Sequence, residues 1–428
     1  MAREMKDSGI EWIGEIPREW NLEKYKHCFI CSKEIVGKKS ESTQLLSLTT
    51  KGIKKRSIND SFGKVPDSYD TYQVVKQNDI VMCLFDLDVS AVFSGISPYN
   101  GMISPAYKVL SGKENVFPKY ADYWFSYIFD GRKYKYYSKN LRFTLNSDEF
   151  AILQMLLPSI KEQMRIANYL DTQCAYIDSV IEKTHAAIEE YKKLKQAVIT
   201  QAVTKGIRPN REMKDSGIEW IGEIPKEWNQ SKLKKFIAIP VVDGPHESPQ
   251  LFDSGIPYIS ATSIEKGKIN FDLKRGFISE QYCDECDKRY KPKRNDILVI
   301  KLGASTGQVA LVETDLRFNI WVPLAAVRCD NKTNSRYIYY CFQSIFLLRQ
   351  MELSWTFGTQ QTLGVKTIEQ LNFFIPSLNE QSKIVAYLDE KTAAIDSLIQ
   401  KKEQLITELE AYKKSLIYEY VTGKKEVV

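Results

Sequence analysis

The sequence predicts an α+β fold: two α/β domains related by a pseudo-twofold and separated by an antiparallel coiled coil of two long helices. Three observations predict it. Residues 5–17 read MKDSGIEWIGEIP, and residues 213–225 repeat those letters 208 positions later. A second repeat, at an offset of 218, closes each half. Leu157-Pro158-Ser159, Glu162-Gln163, Tyr169-Leu170-Asp171 and Ile177-Asp178-Ser179 return as Ile375-Pro376-Ser377, Glu380-Gln381, Tyr387-Leu388-Asp389 and Ile395-Asp396-Ser397. Apolar residues then recur on alternating three- and four-residue steps after each closing repeat. Internal repetition decides the architecture before any single residue does. The expected segments are 1–157 (strap and first domain), 158–208 (first long-helix region), 209–375 (strap and second domain) and 376–428 (second long-helix region).

Each strap is rich in glycine and tryptophan: Gly9, Trp12, Gly14, Pro17 and Trp20 in the first, with Trp220 and Trp228 in the second. Glycines and a proline so close together argue against a regular element. An extended segment whose tryptophans dock onto something larger is expected. The middles carry β-like runs, Asp79 to Phe85 and Asp296 to Ile300, and one aromatic-rich helical stretch each, Tyr120 to Phe129 and Tyr337 to Leu348. That mixture predicts a twisted sheet with helices packed on it.

The closing helices carry a seam. In the first, Ile177, Ile181, Thr184, Ile188, Tyr191, Lys195, Val198 and Ala202 share one phase. Ile395, Ile399, Lys402, Ile406, Leu409, Lys413, Leu416 and Tyr420 share it in the second, and Leu398, Leu405 and Tyr412 are expected to widen that stripe. Seam spacing over several heptads predicts a coiled coil. Independent surface helices are the plainer alternative, but the shared phase and length favour pairing of the two, antiparallel because the domains must lie at opposite ends. Val203-Thr204-Lys205-Gly206 leads into the second strap, and Val421-Thr422-Gly423-Lys424 stands where a further strap would begin. The chain reads as a ring cut open.

Composition narrows the chemistry. The net charge of +6 suits a nucleic-acid partner without demanding one. No stretch approaches a membrane span and residues 1–9 lack a signal-peptide core, so a cytoplasmic, membrane-free protein is expected. Eight cysteines in 428 residues fit a reducing compartment. The pairs Cys28/Cys31 and Cys283/Cys286 sit at non-equivalent places in the repeat with no histidine to complete a zinc site. The three histidines, His27, His185 and His246, do not recur between halves. No GxxxxGK[ST] loop is present, and Ser97-Pro98-Tyr99 only faintly resembles an amino-methyltransferase loop. No active site, metal or cofactor is expected in this chain.

Basic and aromatic clusters say more. Lys51, Lys54, Lys55 and Arg56 fall within six residues, residues 131–142 (GRKYKYYSKNLR) include Arg132, Lys133 and Arg142, and residues 288–294 (KRYKPKR) include Lys291 and Arg294. Such cations neutralise phosphates; for any single cluster a solvated loop is the plainer reading. Reading bases needs short polar side chains on loops that enter a groove. Ser305, Thr306 and Gln308 of residues 303–308 (GASTGQ), and Trp355, Thr359, Gln360 and Gln361 of residues 355–361, are the candidates in the second middle. Asp86, after the matching strand, and Arg142 and Thr144 are those in the first.

With the strap, the Asn-Asp-Ile-Val and Asn-Asp-Ile-Leu strands (Asn78 to Val81; Asn295 to Leu298), the Pro-Ser-x-x-Glu-Gln edges and the Ile-Asp-Ser helices ending in Val-Thr, the chain resembles the specificity subunits of type I restriction–modification systems. The resemblance covers nearly the whole chain twice. It implies two target-recognition domains, each reading one half of a bipartite site in double-stranded DNA. The helices would set the spacer and, with the straps, bind two methylation (M) subunits, which supply S-adenosylmethionine chemistry on adenine N6; motor–nuclease (R) subunits can join. Trp12, Trp20, Glu162, Gln163, Tyr169, Trp220, Trp228, Glu380, Gln381 and Tyr387 are the expected partner-binding residues. Because the middles differ, the target should be asymmetric. One departure stands out: Phe85-Asp86-Leu87-Asp88-Val89-Ser90 occupies the place of the Gly-Ala-Ser-Thr-Gly loop. The alternatives are a coiled-coil scaffold for proteins or glycans and a stand-alone DNA-modifying enzyme with an unrecognised site.

Overall fold

The computed structural model describes residues 3–57, 66, 68–90, 92–136, 143–357 and 361–427, with the Phe357 side chain left out. The chain packs as two compact units, Met1–Thr184 with Gln404–Val428, and His185–Glu403. The fold class is α+β, as expected. Among the described residues no helix is long and apolar enough to cross a membrane.

Each unit carries the same four-strand sheet. In the first, Phe29–Cys31, Lys108–Gly112, Ile80–Met82 and Ser94–Ile96 lie side by side in that order, all antiparallel. In the second, Val242–Asp243, Leu324–Val327, Ile297–Ile300 and Val309–Leu311 take the corresponding places. The Ile80–Met82 and Ile297–Ile300 strands are fully buried, which is why both read as unbroken apolar runs rather than alternating ones.

The straps are not simply extended. Met5–Asp7 pairs with Glu15–Pro17, and Met213–Asp215 with Glu223–Pro225, as short antiparallel ladders. Gly9 and Gly14 hold φ of 73° and 69°, so the glycines that argued against regular structure supply the left-handed turns that close it. Each strap then feeds a strand, Asn21–Lys24 or Asn229–Lys232, that pairs with the strand just before a long helix, Gln154–Leu157 or Asn372–Ile375.

A second difference lies in the aromatic helices. Pro118–Asp130 is one helix, but its counterpart is two, Ser335–Gln343 and Ile345–Leu353. Ser344 breaks it: its buried hydroxyl donates to the Cys341 carbonyl at 2.6 Å and accepts from the Leu347 amide, capping the second piece.

The long helices run Ile160–Lys205 and Leu378–Val421. Within the first unit, Tyr169 meets Tyr420 with ring centroids 4.6 Å apart, and Lys413 Nζ reaches Asp178 at 2.7 Å. Within the second, Lys402 sits 5.8 Å over the Tyr191 ring, and Lys195 Nζ reaches Asp396 at 2.7 Å. Rising numbers on one helix meet falling numbers on the other in each unit, so the pairing is antiparallel. The two ion pairs are one feature of the repeat, present once per unit. Seam residues Ile177, Thr184, Ile188, Ile395, Ile399, Ile406 and Leu416 are buried. Leu398, Leu405 and Tyr412 are not; they stay 42%, 39% and 53% exposed. The expected widening of the stripe is therefore wrong: the seam is narrow, and that row faces away from it.

Candidate nucleic-acid interface

At one end of the second unit's sheet, four segments converge. Asp243 ends its strand, Leu324 begins its own beside it, and Ile300 is paired with Leu324. The loop after Ile300 and the hairpin of Thr356–Phe357 with Gln361–Thr362 are tied together: the Gly303 amide donates to the Gln361 carbonyl at 3.1 Å, and the Leu363 amide to the Lys301 carbonyl at 2.8 Å. The two segments singled out as groove readers in this half are thus neighbours, although 46 residues separate them in sequence.

An ionic hub lies beneath them. Asp243, 8% exposed, faces Lys301 Nζ at 2.9 Å, Arg289 Nη2 at 2.5 Å and His246 Nε2 at 3.2 Å. Burial pushes the Asp243 carboxyl up, but hydrogen bonds and charge from Lys301, His246 and Arg289 outweigh it and hold it below the usual range. The carboxylate fixes the histidine while leaving the ring's outer edge in solvent. Arg275 stacks 3.4 Å over Trp321, whose indole donates to the Glu247 carbonyl. His246, Arg275 and Trp321 were missed in the sequence. Gly244-Pro245 after a short apolar strand was the available signal for a turn at this edge.

Gly244 permits that turn. A Cβ there would lie 2.3 Å from the Ile320 carbonyl oxygen and 2.5 Å from Trp321 backbone, and neither can retreat without moving a strand. Gly244→Ala is therefore expected to cost about 1–3 kcal/mol, read as a lowered melting temperature. An unchanged melting temperature would show that the close approach is not a constraint.

The other candidates separate. Ser305 is half-buried and Gln308 exposed, but Thr306 is buried and its hydroxyl donates to the Gly303 carbonyl at 2.7 Å, completing the turn. Lys291 and Arg294 precede Ile297–Ile300 and so lie at the opposite end of that strand from Lys301–Gln308. Arg294 is also engaged, chelating Asp315 and the Glu313 carbonyl. Trp355 is half-buried against the core, with its indole nitrogen buried and unpartnered. Thr359, Gln360 and Arg142 lie outside the described residues.

The first unit builds the matching end differently. Asp86, at φ 48°, turns the chain after Ile80–Met82, and its amide donates to Thr144 Oγ1 at 3.2 Å. Arg132 and Lys135 reach Asp88 at 3.5 and 2.9 Å. Asp86, Arg132 and Thr144 are thus brought together. Lys133 instead sits 5.4 Å over the Trp12 ring, so a residue expected at DNA meets one expected at a partner. Lys51 lies in the turn between Leu45–Thr49 and Gly52–Arg56, and Lys54 points outward from that edge strand. Arg56 is half-buried on the same strand. Lys55 sits 4.6 Å over Tyr99, beyond the far end of Ile80–Met82 from Asp86.

The expected partner residues divide by exposure. Trp20 and Trp228 are fully buried, and their indoles donate to Glu162 and Glu380 at 3.1 and 3.2 Å. Gln163 and Gln381 each take a backbone amide, from Phe117 and Asn334, and donate back to Pro158 and Pro376. The two tryptophan–glutamate pairs hold strap to helix, and the two glutamines hold each helix start to the residue that precedes the aromatic helix, all inside the chain. Trp12, Tyr169 and Tyr387 stay half-buried, while Trp220 is 43% exposed and lies under Arg349. Tyr120 bridges the Leu156 and Val421 carbonyls, and Tyr337 bridges those of Phe374 and Val203. Lys424 donates to the Glu15 carbonyl and Gly206 lies against Trp228, so each strap meets the end of the long helix that closes the other copy of the repeat, as the ring reading expects.

The sequence profile described as "Type I restriction modification DNA specificity domain" matches residues 225–408, the second copy of this framework. Residues 225–408 are thus similar to the type I restriction specificity family. It is 28% identical over 255 residues to the EcoBI specificity subunit of Escherichia coli, covering 56% of this chain and 52% of that one. It is 24% identical over 320 residues to the putative MjaX specificity subunit of Methanocaldococcus jannaschii, covering 74% and 70%. The chain thus spans about half the length of the first relative. By structure it resembles a chain of a type I R-M system solved for its assembly and conformational transition, with TM-score 0.72 at 14% identity over 96% of this chain and 99% of that one. The HsdS subunit of Thermoanaerobacter tengcongensis superposes with TM-score 0.50 at 14% identity, over 96% and 98%. At such identities the likeness shows the fold. In this chain the framework residues just described are the repeated ones and the sheet-end loops are those that differ.

Proposed function

We propose that this chain is the DNA-reading subunit of a type I restriction–modification complex, each unit reading one half of an asymmetric bipartite site in duplex DNA. The observation that carries the reading is the division within each unit. A duplicated lock of strap, tryptophan and helix supports a sheet end whose loops differ between the two copies. Like partners need like surfaces, and unlike half-sites need unlike loops. In the second unit the groove-facing groups are His246, Ser305 and Gln308; in the first they come from the Asp86–Ser90 turn with Arg132. Lys51 and Lys54 are placed to meet phosphates.

The chain itself would carry no catalysis. Two methylation subunits, docking on Trp12, Trp220, Tyr169, Tyr387 and the exposed helix faces, would bind S-adenosylmethionine and methylate adenine N6. A motor–nuclease subunit would add cleavage, and the paired helices would set the gap between half-sites.

Mapping methylated adenines in cells that carry the chain with its partners tests the reading. The expected result is a two-part motif with a fixed gap and unlike halves. In vitro, methyl transfer should need the partner, and DNA affinity should fall steeply with salt. Methylation by the purified chain alone would favour a stand-alone enzyme. Partner binding without duplex affinity would favour a protein scaffold.

A further inference from the structure

Among the described residues of the first unit, the most exposed large apolar side chain is Val89, at 83%. Its position is unusual for such exposure, because the described residues of the loop around it are held by several hydrogen bonds and ion pairs. The amides of Val89 and Ser90 donate to the Asp86 carbonyl at 3.0 and 2.9 Å. The Ser90 hydroxyl donates to the Val92 carbonyl at 2.7 Å, and Tyr134 OH donates to the Leu87 carbonyl at 3.2 Å. Lys135 and Arg132 hold Asp88, and Thr144 holds the Asp86 amide. Leu87 and Phe93 anchor the loop in the core at 1% and 3% exposure. A valine on a loose loop is unremarkable; one displayed outward by so many hydrogen bonds is being presented.

What it faces follows from place and charge. The loop leaves Ile80–Met82 just as Lys301–Gln308 leaves Ile297–Ile300, at the matching sheet end. Where the second unit offers Ser305 and Gln308, the first offers Val89, with Phe85 beside it at 37% exposure and packed on Tyr107. Asp86 and Asp88 share the loop, but Arg132 and Lys135 match them in number and pair with Asp88, so the rim around the valine carries no net negative charge to repel phosphates. In the major groove thymine alone of the four unmodified bases presents a methyl group, and an apolar side chain is the complement to it.

Resting on the DNA-reading proposal above, we propose that Val89 is a specificity-determining residue of the first unit that contacts the C5 methyl group of a thymine in the major groove. A rigid loop suits this task, since a single methyl contact is worth little unless its partner is already in position.

The test uses the chain assembled with its methylation partners. The first unit's half-site is assigned by exchanging residues 22–157 for the corresponding segment of a relative. Each thymine of that half-site is then replaced singly by uracil, which removes only the methyl, and dissociation constants are measured. One position should weaken about fourfold, the worth of one buried methyl. Val89→Ala should weaken binding to thymine DNA by a similar factor and no longer distinguish uracil there. Val89→Ile should keep the discrimination, and uracil in the other half-site should act alike on all three proteins. A first half-site without thymine would overturn the proposal, as would unchanged discrimination in Val89→Ala. So would loss of partner association with discrimination intact, which would make the tip a protein contact. If the methylated motif is not bipartite at all, it is the DNA-reading proposal that fails first.

Discussion

Glu380→Ala should lower the stability of the second unit by about 3–5 kcal/mol, seen as a fall in melting temperature on the order of 10 °C. Glu380 is 5% exposed and does two things at once. Its Oε1 accepts from Arg211 Nη1 at 2.7 Å, and its Oε2 accepts from the Trp228 indole at 3.2 Å. The Arg211 guanidinium lies 5.4 Å over the same indole, with its side chain 8% exposed. Removing the carboxylate leaves the buried indole N–H without its acceptor and the buried cation with only its solvent-facing partner Glu227, and the penalty is theirs rather than the loss of one bond. Gly206 sets the geometry: at φ 72° it lets the helix end pass the strap, and a Cβ there would meet Arg211 at 2.4 Å. Glu380→Gln keeps an acceptor for the indole and should cost less. Glu227→Ala, which removes the solvent-facing partner of the same arginine, should change little. The equivalent lock, Arg3, Trp20 and Glu162, predicts the same ordering for the first unit. A Glu380→Ala chain that melts with wild type would show that the lock is ornamental.

What was legible in the sequence is what periodicity and repetition carry. The helices, their antiparallel pairing and the strap-to-helix closure all follow from patterns that recur every three or four residues or once per half. What was not legible is which polar groups are already taken. Arg294 looks free in KRYKPKR, yet Asp315 claims it; Lys133 looks free among tyrosines, yet Trp12 lies under it. Both partners become neighbours only once the chain folds. Thr306 looked like a reader, but a hydroxyl three residues after a glycine in a tight turn finds that glycine's carbonyl first. The row Leu398, Leu405 and Tyr412 has heptad spacing but stays exposed, so spacing alone overstated the seam. Val89 and His246 escaped for the opposite reason. Their importance lies in being held outward, and a sequence does not record exposure.

The largest functional effect should come from replacing residues 22–157 by a second copy of residues 230–375. Such a chain is expected to methylate a two-part motif whose halves are the same sequence in inverted orientation, with the wild-type gap. The junctions support this substitution. The transplanted segment brings the Asn334 amide to the glutamine at the helix start, where Phe117 now donates to Gln163. It brings Tyr337 to the two carbonyls that Tyr120 now bridges, Leu156 (with its own Phe374 at that place) and Val421. It brings the pairing of Asn372–Ile375 with Asn229–Lys232 almost whole, only Asn21 standing for Asn229, in place of that of Gln154–Leu157 with Asn21–Lys24. The antiparallel helix pairing and the ion pair of Lys413 with Asp178 are untouched. With each mismatched base pair worth about 1–3 kcal/mol, the original first half should lose its hold on the motif altogether. Methylome sequencing reads the outcome directly. If the exchanged protein folds with a wild-type melting temperature and still methylates the original asymmetric motif, the middles are not the readers, and the division of labour between framework and loops has been assigned the wrong way round.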